Sequence, residues 1–315
     1  MSARTAPWAS LATVVVSALL LITAAGAAPV TAVDDTGATV TLAAPAQRVV
    51  SLAPHLTELL FGAGAGAQVV GAVAYSDYPE AARTIPRIGD SQQLDLERLV
   101  TLRPDLIVVW QDGTPAPLQA RVAALGIPVY AARIEDFAGI ASTLRRLGHL
   151  TGHDAEGAAE AAAFGRAIDA LRARYAARRP LRVFYQVWAR PLMTVNGRHL
   201  ISQALAVCGA RNVFAELAPL VPTVDVEAVI GADPDAIVSA SVAPPAPDPM
   251  AAWRSLRGVR ATREGHLIAV DPDTLHRATE RTADGVRALC EALEGVRERE
   301  VGAAASVPGV AATRR

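Results

Sequence analysis

Residues 96–110 read LERLVTLRPDLIVVW, and residues 226–240 read VEAVIGADPDAIVSA. Each stretch opens as a short helix led by a glutamate, Glu97 in one and Glu227 in the other, with aliphatic side chains at helical spacing. Each breaks at a residue-Pro-Asp turn, because proline cannot continue a helix and pushes the residue before it away from helical geometry. Each ends in a run of apolar, β-branched residues, which reads as a strand buried on both faces. One helix-turn-strand unit therefore occurs once in each half of the chain.

Working outward from the first copy, RVVSLA (48–53) is a strand and PHLTELLFGAG (54–64) a helix opened by Pro54 and closed by glycines. VVGAVA (69–74) is a strand, followed by a loop carrying Tyr75 and Tyr78. Beyond Trp110, PLQARVAALG is a helix, IPVYAA a strand and DFAGIASTLRRLGHL a helix. Strand and helix alternate over short connections, which implies parallel sheets with right-handed crossovers. The alternation stops at residues 154–177, an alanine-rich stretch that reads as one long helix, and resumes at RVFYQVW (182–188). It continues through HLISQALAVCG, the second copy of the unit, HLIAVDPD and ADGVRALCEALEG. The expected fold is α/β: two Rossmann-like lobes, 48–152 and 181–298, joined by the single helix 154–177. In such sheets ligands gather at the carboxyl ends of the strands, here between the lobes. A single helical linker resists wide hinge closure, so small lobe motions are expected. Residues 301–315 are expected to be a disordered tail.

Composition narrows the classes. The 315 residues are 51% hydrophobic and 19% charged, with a formal net charge of -1. That is a globular balance, and the totals lack the basic excess of a nucleic-acid partner. Every basic residue is arginine, which we read as compositional bias. Residues 1–32 carry Arg4, an apolar run over about 11–25 and then small residues, the pattern of a secretory signal peptide with cuts after Ala27 or Ala32. The expected location is the periplasm. In an oxidising compartment the two cysteines, Cys208 and Cys290, pair into a disulfide. No nucleophile elbow, P-loop, zincin or C-x-x-C motif is present, so no enzyme, metal site or bound cofactor is expected. His149 and His153 are separated by a helix break at Gly152, and His55 reads as a capping or packing residue.

The ordered series RVVSLAPHLTELLFGAG, AYSDYP, LDLERLVTLRPDLI, VFYQVW, ALAVCGARNVF, VEAVIGADPDAIV and HRATERTADGVRALCEAL resembles the iron-siderophore and cobalamin periplasmic binding proteins, and most resembles the cobalamin-binding branch. The resemblance spans about Arg48 to Leu293. It implies a monomeric solute-binding component of an ABC importer that carries cobalamin or another corrinoid. It implies that Tyr75 packs on the corrin ring, and that Asp273, Thr274, Leu275, His276 and Arg277 form the second lobe's cleft loop. It implies that Glu97 and Glu227 dock onto the permease dimer, one per lobe, and that Cys208 and Cys290 form the second lobe's disulfide. A tyrosine can lay its ring on a flat apolar macrocycle and still hydrogen-bond at its rim. The chain also departs from the pattern. Ser91 and Val221 stand where tryptophans would be, and Thr274 and Leu275 replace aromatics. Trp110 and Trp188, at strand ends, are candidates to supply flat contacts instead. Haem or a ferric siderophore is the alternative cargo, with Tyr75, His55 and His276 as iron ligands or Arg277 and Arg281 as an anion-binding pair. An exported two-lobed enzyme or a sensor ectodomain is the alternative from another class.

Overall fold

The computed structural model describes residues 28–241 and 248–305. Residues 1–27, most of the expected signal peptide, lie outside the described residues. The described chain opens with an antiparallel hairpin of β1 (Val30–Val33) and β2 (Thr39–Leu42). Its turn is built by Asp34, whose Oδ1 accepts from the Thr36 and Ala38 amides at 2.9 and 3.0 Å, and by Gly37 at φ 86°. The hairpin docks on the first lobe, where the Asp35 amide donates to the Ala131 carbonyl at 3.0 Å. That lobe therefore starts before Arg48, the boundary expected from the alternation.

The first lobe contains β3 (Val49–Ser51), α1 (Pro54–Gly62), β4 (Val69–Ala72), α2 (Leu96–Thr101), β5 (Leu106–Trp110), α3 (Ala116–Ala123), β6 (Val129–Ala132) and α4 (Phe137–Thr151). Its sheet is all parallel in the order β4-β3-β5-β6. After α5 (Asp154–Tyr175), the second lobe has β7 (Leu181–Gln186), a short hairpin of β8 (Trp188–Ala189) and β9 (Leu192–Met193), α6 (Leu200–Val207) and β10 (Ala210–Asn212). It continues with α7 (Val226–Ala232), β11 (Ala236–Ala240), α8 (Ala251–Arg254), α9 (Arg260–Arg263), β12 (Leu267–Val270), α10 (Pro272–Leu275) and α11 (Thr282–Ala305). Its main sheet is also all parallel, in the equivalent order β10-β7-β11-β12.

The repeated unit folds the same way twice. Asp95 caps α2 by accepting from the Arg98 amide at 2.9 Å, and Asp225 caps α7 by accepting from the Ala228 amide at 2.7 Å. Before each proline, Arg103 and Asp233 take the left-handed conformation, at φ 47° and 40°. The aspartate after each proline then clasps the first strand of its lobe. Asp105 accepts from the Arg48 amide at 2.9 Å, and Asp235 from the Arg182 amide at 2.8 Å. These carboxylates set the register of β5 and β11 against their neighbours and so fix where the strand ends lie.

The helix α5 buries Gly157, Ala161, Phe164, Ile168, Leu171 and Tyr175, a stripe at alternating spacings of four and three. Its first turns lie so close to α4 that a Cβ on Gly157 would meet the Leu144 carbonyl at 2.7 Å. One apolar cluster runs from both lobes through this helix. In the second lobe α6 and α11 are stapled by a disulfide between Cys208 and Cys290, 82 residues apart. Arg297 of α11 adds to the staple by donating to the Cys208 and Gly209 carbonyls at 2.7 and 3.0 Å. The helix α11 runs to Ala305, into the stretch expected to be tail. The reason is its apolar face: Val286, Leu289, Leu293 and Val296 are all fully buried, and the helix simply carries on past them. Residues 306–315 lie outside the described residues. Among the described residues no helix is long and apolar enough to cross a membrane.

Candidate ligand cleft

The carboxyl ends of both parallel sheets face one another, and the loops that follow them enclose a cavity of about 480 Å³. From the first lobe come Pro54 and His55 after β3, Trp110 at the end of β5 with Asp112 beyond it, and Ile134 and Glu135 after β6. From the second come the segments 198–200 and 276–278, with Leu220.

Trp110 is the aromatic wall. As the last residue of β5 it pairs with Ala132 and stands 40% exposed. Its ring meets His55 edge-on, with centroids 5.2 Å apart and planes at 88°. Gly113 permits this pose, since a Cβ there would fall 1.8 Å from the indole. His55 thus faces the cleft and does not cap α1, whose N-cap position is Ala53. His199, which caps α6, accepts from the Ile201 amide through Nδ1 at 3.1 Å. His276 hydrogen-bonds through Nε2 to the buried Tyr185 hydroxyl at 2.7 Å. Burial holds His55 down to about 4, helped by the charge of Arg277. Burial also holds His199 down to about 4, helped by His276. Loss of bulk water lowers His276 as well. All three imidazoles are neutral near pH 7.

Arg277 reaches the cavity wall but is held by three carboxylates. It donates to Glu58 at 2.8 Å and to Asp77 at 2.9 Å, and its other terminal nitrogen lies 3.1 Å from Asp273. Burial acts to raise the Asp77 carboxyl, but the hydrogen bond and charge of Arg277 outweigh it and leave the group below its ordinary value. Arg281 donates to both oxygens of Glu58, at 2.9 and 3.1 Å, and its guanidinium lies 3.7 Å above the Tyr78 ring. The expected pair of anion-binding arginines is therefore already paired.

The segment 273–277 is not an open loop. Its first three residues belong to the helical turn α10, and only His276 and Arg277 line the cavity. Leu275 is corrected from a cleft residue to a core residue: it is 2% exposed and packs within the main apolar cluster. The Thr274 carbonyl lies against Gly285 of α11, where a Cβ would come within 2.6 Å, and Thr274 does not line the cavity. Tyr75 sits on the loop after β4, at φ 64° and 77% exposed, outside the cavity lining. Trp188 lies on the β8–β9 hairpin, 60% exposed, with its indole N–H donated to the Arg190 carbonyl. His149 and His153 do not converge: His149 pairs with Asp154 at 2.9 Å and His153 with Gln68 at 3.1 Å.

Away from the cleft, Glu97 and Glu227 occupy the first turns of α2 and α7, both exposed, and neither has an ion-pair partner among the described residues. One turn later each helix exposes a branched aliphatic, Val100 and Ile230, over a buried Leu99 and Val229. Burial follows the same order over 94–100 and 224–230.

Residues 49–274 match the family model described as periplasmic binding protein. The chain belongs to the periplasmic binding proteins. It is 31% identical over 255 residues to a vitamin B12-binding protein of Vibrio campbellii, covering 81% of this chain and 92% of that one. The crystal structure of the periplasmic vitamin B12 binding protein BtuF of Vibrio cholerae superposes with a TM-score of 0.73 at 32% identity, over 81% of this chain and 99% of that chain. The heme-binding protein BhuT in complex with two hemes has the same fold, with a TM-score of 0.71 at 24% identity, over 79% of this chain and 98% of that chain. The two-lobed α/β architecture expected from the alternation is the architecture of this family.

Proposed function

We propose that this periplasmic binding protein captures cobalamin in the interlobe cleft and delivers it to the paired subunits of an ABC importer. The supporting observation is the likeness to vitamin B12-binding proteins across about four-fifths of the chain, joined to a cleft whose chemistry suits a corrinoid. Trp110 offers a flat apolar face. His199 and His276, with backbone groups of the strand-end loops, offer neutral hydrogen-bonding partners for peripheral amides. Tyr75 and Trp188 are exposed after β4 and β7, outside the cavity lining, and we assign them to the part of a wide macrocycle that extends beyond the cavity. Binding carries no chemistry; the two lobes hold the cargo and present it.

Delivery is the role of the repeated unit. Two equivalent helix starts, each with one unpaired carboxylate and one exposed aliphatic, suit a partner with two-fold symmetry that offers one arginine pocket per subunit. Export is part of the same proposal. A cut after Ala27 leaves β1 whole, whereas a cut after Ala32 removes three of its four residues, so the earlier cut is the one consistent with the hairpin.

A second reading, a haem carrier, has one observation in its favour: His55, His199 and His276 line one cavity as neutral imidazoles, the form that ligates iron. Tryptophan fluorescence separates the two. Cyanocobalamin should quench the Trp110 emission with saturation, and Trp110→Phe should remove that component. A Soret shift diagnostic of histidine-ligated haem, without saturable corrinoid quenching, would replace the corrinoid by haem.

A further inference from the structure

The most unusual group near the cleft is an acid in the wrong place. Glu58 lies on α1 of the first lobe with its side chain 0% exposed. A buried carboxylate is strongly disfavoured unless paired and hydrogen-bonded. Glu58 is doubly paired, and both partners come from the other lobe: Oε1 accepts from Arg277 and Arg281 at 2.8 and 3.1 Å, and Oε2 from Arg281 at 2.9 Å. Arg277 also donates to Asp77 at 2.9 Å, and its other terminal nitrogen lies 3.1 Å from Asp273. Arg281 donates further to the Asp273 carbonyl at 3.3 Å and covers the Tyr78 ring.

The cluster closes on itself. Two guanidiniums face three carboxylates, a formal charge of one negative. Of the other charged groups of the lining, Asp112 is matched by Arg133 at 3.0 Å, and one acid and one arginine remain, Glu135 and Arg198, the latter donating to the Ala218 carbonyl at 2.9 Å. Neither Arg277 nor Arg281 keeps a bidentate fork free for an incoming carboxylate. To bind one, the protein would have to strip a buried acid of its partners, which is a steep loss in a site of low dielectric.

We propose that Glu58 is the residue that sets the charge selectivity of this cleft: by holding Arg277 and Arg281 in a closed ion cluster it turns away ligands with anionic rims and leaves the site to an amide-rimmed one. The inference rests on the corrinoid reading and names the substrate class within it. Glu58 touches no ligand; it acts through the two arginines, so it is a positioning residue. Two arginines stand beside the cleft, and one buried acid of the other lobe silences both.

A pair of ligands of one shape and different charge tests this. Cyanocobalamin and its three monocarboxylic acids, each with one peripheral propionamide hydrolysed, are titrated against the wild type and against Glu58→Gln. The wild type should bind cyanocobalamin at least about tenfold tighter than the most penalised acid, and Glu58→Gln should narrow that ratio by on the order of tenfold, the effect of one unit charge in a partly solvated cleft. A merely structural role would weaken all four ligands alike and leave the ratio where it was. Should Glu58→Gln fail to fold, Asp273→Asn serves instead, because its side chain is 51% exposed and it removes another of the three carboxylates; the ratio should narrow in the same direction. An unchanged ratio in the folded variant, or a wild type indifferent to the extra charge, overturns the inference and leaves the corrinoid reading standing. A wild type that binds neither cyanocobalamin nor its acids overturns the corrinoid reading itself, and the inference with it.

Discussion

Consider breaking the cross-link between α6 and α11. Cys208 and Cys290 are both fully buried and 82 residues apart in sequence. In the chain-entropy account a loop of that length restricts the unfolded chain by about 4–5 kcal/mol. At about 2 °C per kcal/mol for a chain of this size, the reduced protein should melt roughly 8–10 °C below the oxidised one. The fairest comparison is wild type refolded with and without reductant, because the reduced form keeps both sulfurs and loses only the link. A Cys208→Ala/Cys290→Ala variant should fall further, by about 1 kcal/mol for each buried sulfur removed. Function should suffer less than stability. The disulfide sits at the end of α6 away from the cleft and about two turns into α11, whereas His199 caps α6 and Arg281 lies just before α11. Arg297 also still holds the end of α6 when the link is gone. Cyanocobalamin affinity of the reduced, folded protein should stay within about threefold. Differential scanning calorimetry and a thiol count on unfolded, unreduced protein are the assays. Two free thiols, or reduced and oxidised proteins melting within 2 °C, would refute the reasoning.

Three further outcomes are expected. Gly157→Ala places a methyl 2.7 Å from the Leu144 carbonyl at the α4–α5 contact; overpacking of about 2–3 kcal/mol exceeds the gain of about 1 kcal/mol in helix propensity, so the melting temperature should drop by a few degrees, and a variant as stable as wild type would contradict the close approach. Glu280 is pushed up to about 7 by burial, with Glu58 and Glu160 adding to the effect. A carboxyl raised in the folded state contributes stability that is present below the unfolded value near 4.5 and lost as pH rises through about 7, so Glu280→Gln should be more stable than wild type at pH 8 by about 2–3 kcal/mol and indistinguishable at pH 4.5; a variant less stable at pH 8 would show that the ionised acid has a partner. The double variant Glu97→Ala/Glu227→Ala should lower uptake by tenfold or more in a cell transport assay while ligand affinity of the free protein holds within about twofold; equal losses in both would move these carboxylates into the cleft.

Much of the architecture is written in local patterns. The repeated helix-turn-strand unit is legible because its parts are short-range: an N-cap, a proline stop, a buried run. So is the long α5, whose stripe of buried residues recurs at helical spacing. The β1–β2 hairpin was equally local, with Asp34 and Gly37 as its turn signals, but it precedes the alternation and escapes a reading that starts at Arg48. The cleft is less legible, because it is assembled from strand ends that are distant in sequence. Trp110 could be assigned to a strand end but not to core or cleft until β6 and α1 were set around it. The resemblance puts Leu275 in the cleft loop, but one helical turn points it inward. Glu58 is the clearest case. Its helix pattern suggests an ordinary surface acid, and its partners lie 219 and 223 residues away, so nothing local announces either its burial or its effect on Arg277 and Arg281.

The central claim is the identity of the cargo. Calorimetric titration of the mature protein with cyanocobalamin, and in parallel with hemin and a ferric hydroxamate, tests it most directly. The account predicts saturable, sub-micromolar, one-to-one binding of the corrinoid alone. Heat from hemin or the ferric chelate at that affinity, with none from cyanocobalamin, would contradict it and turn attention to Ser91 and Val221, which stand where the resemblance would have tryptophans.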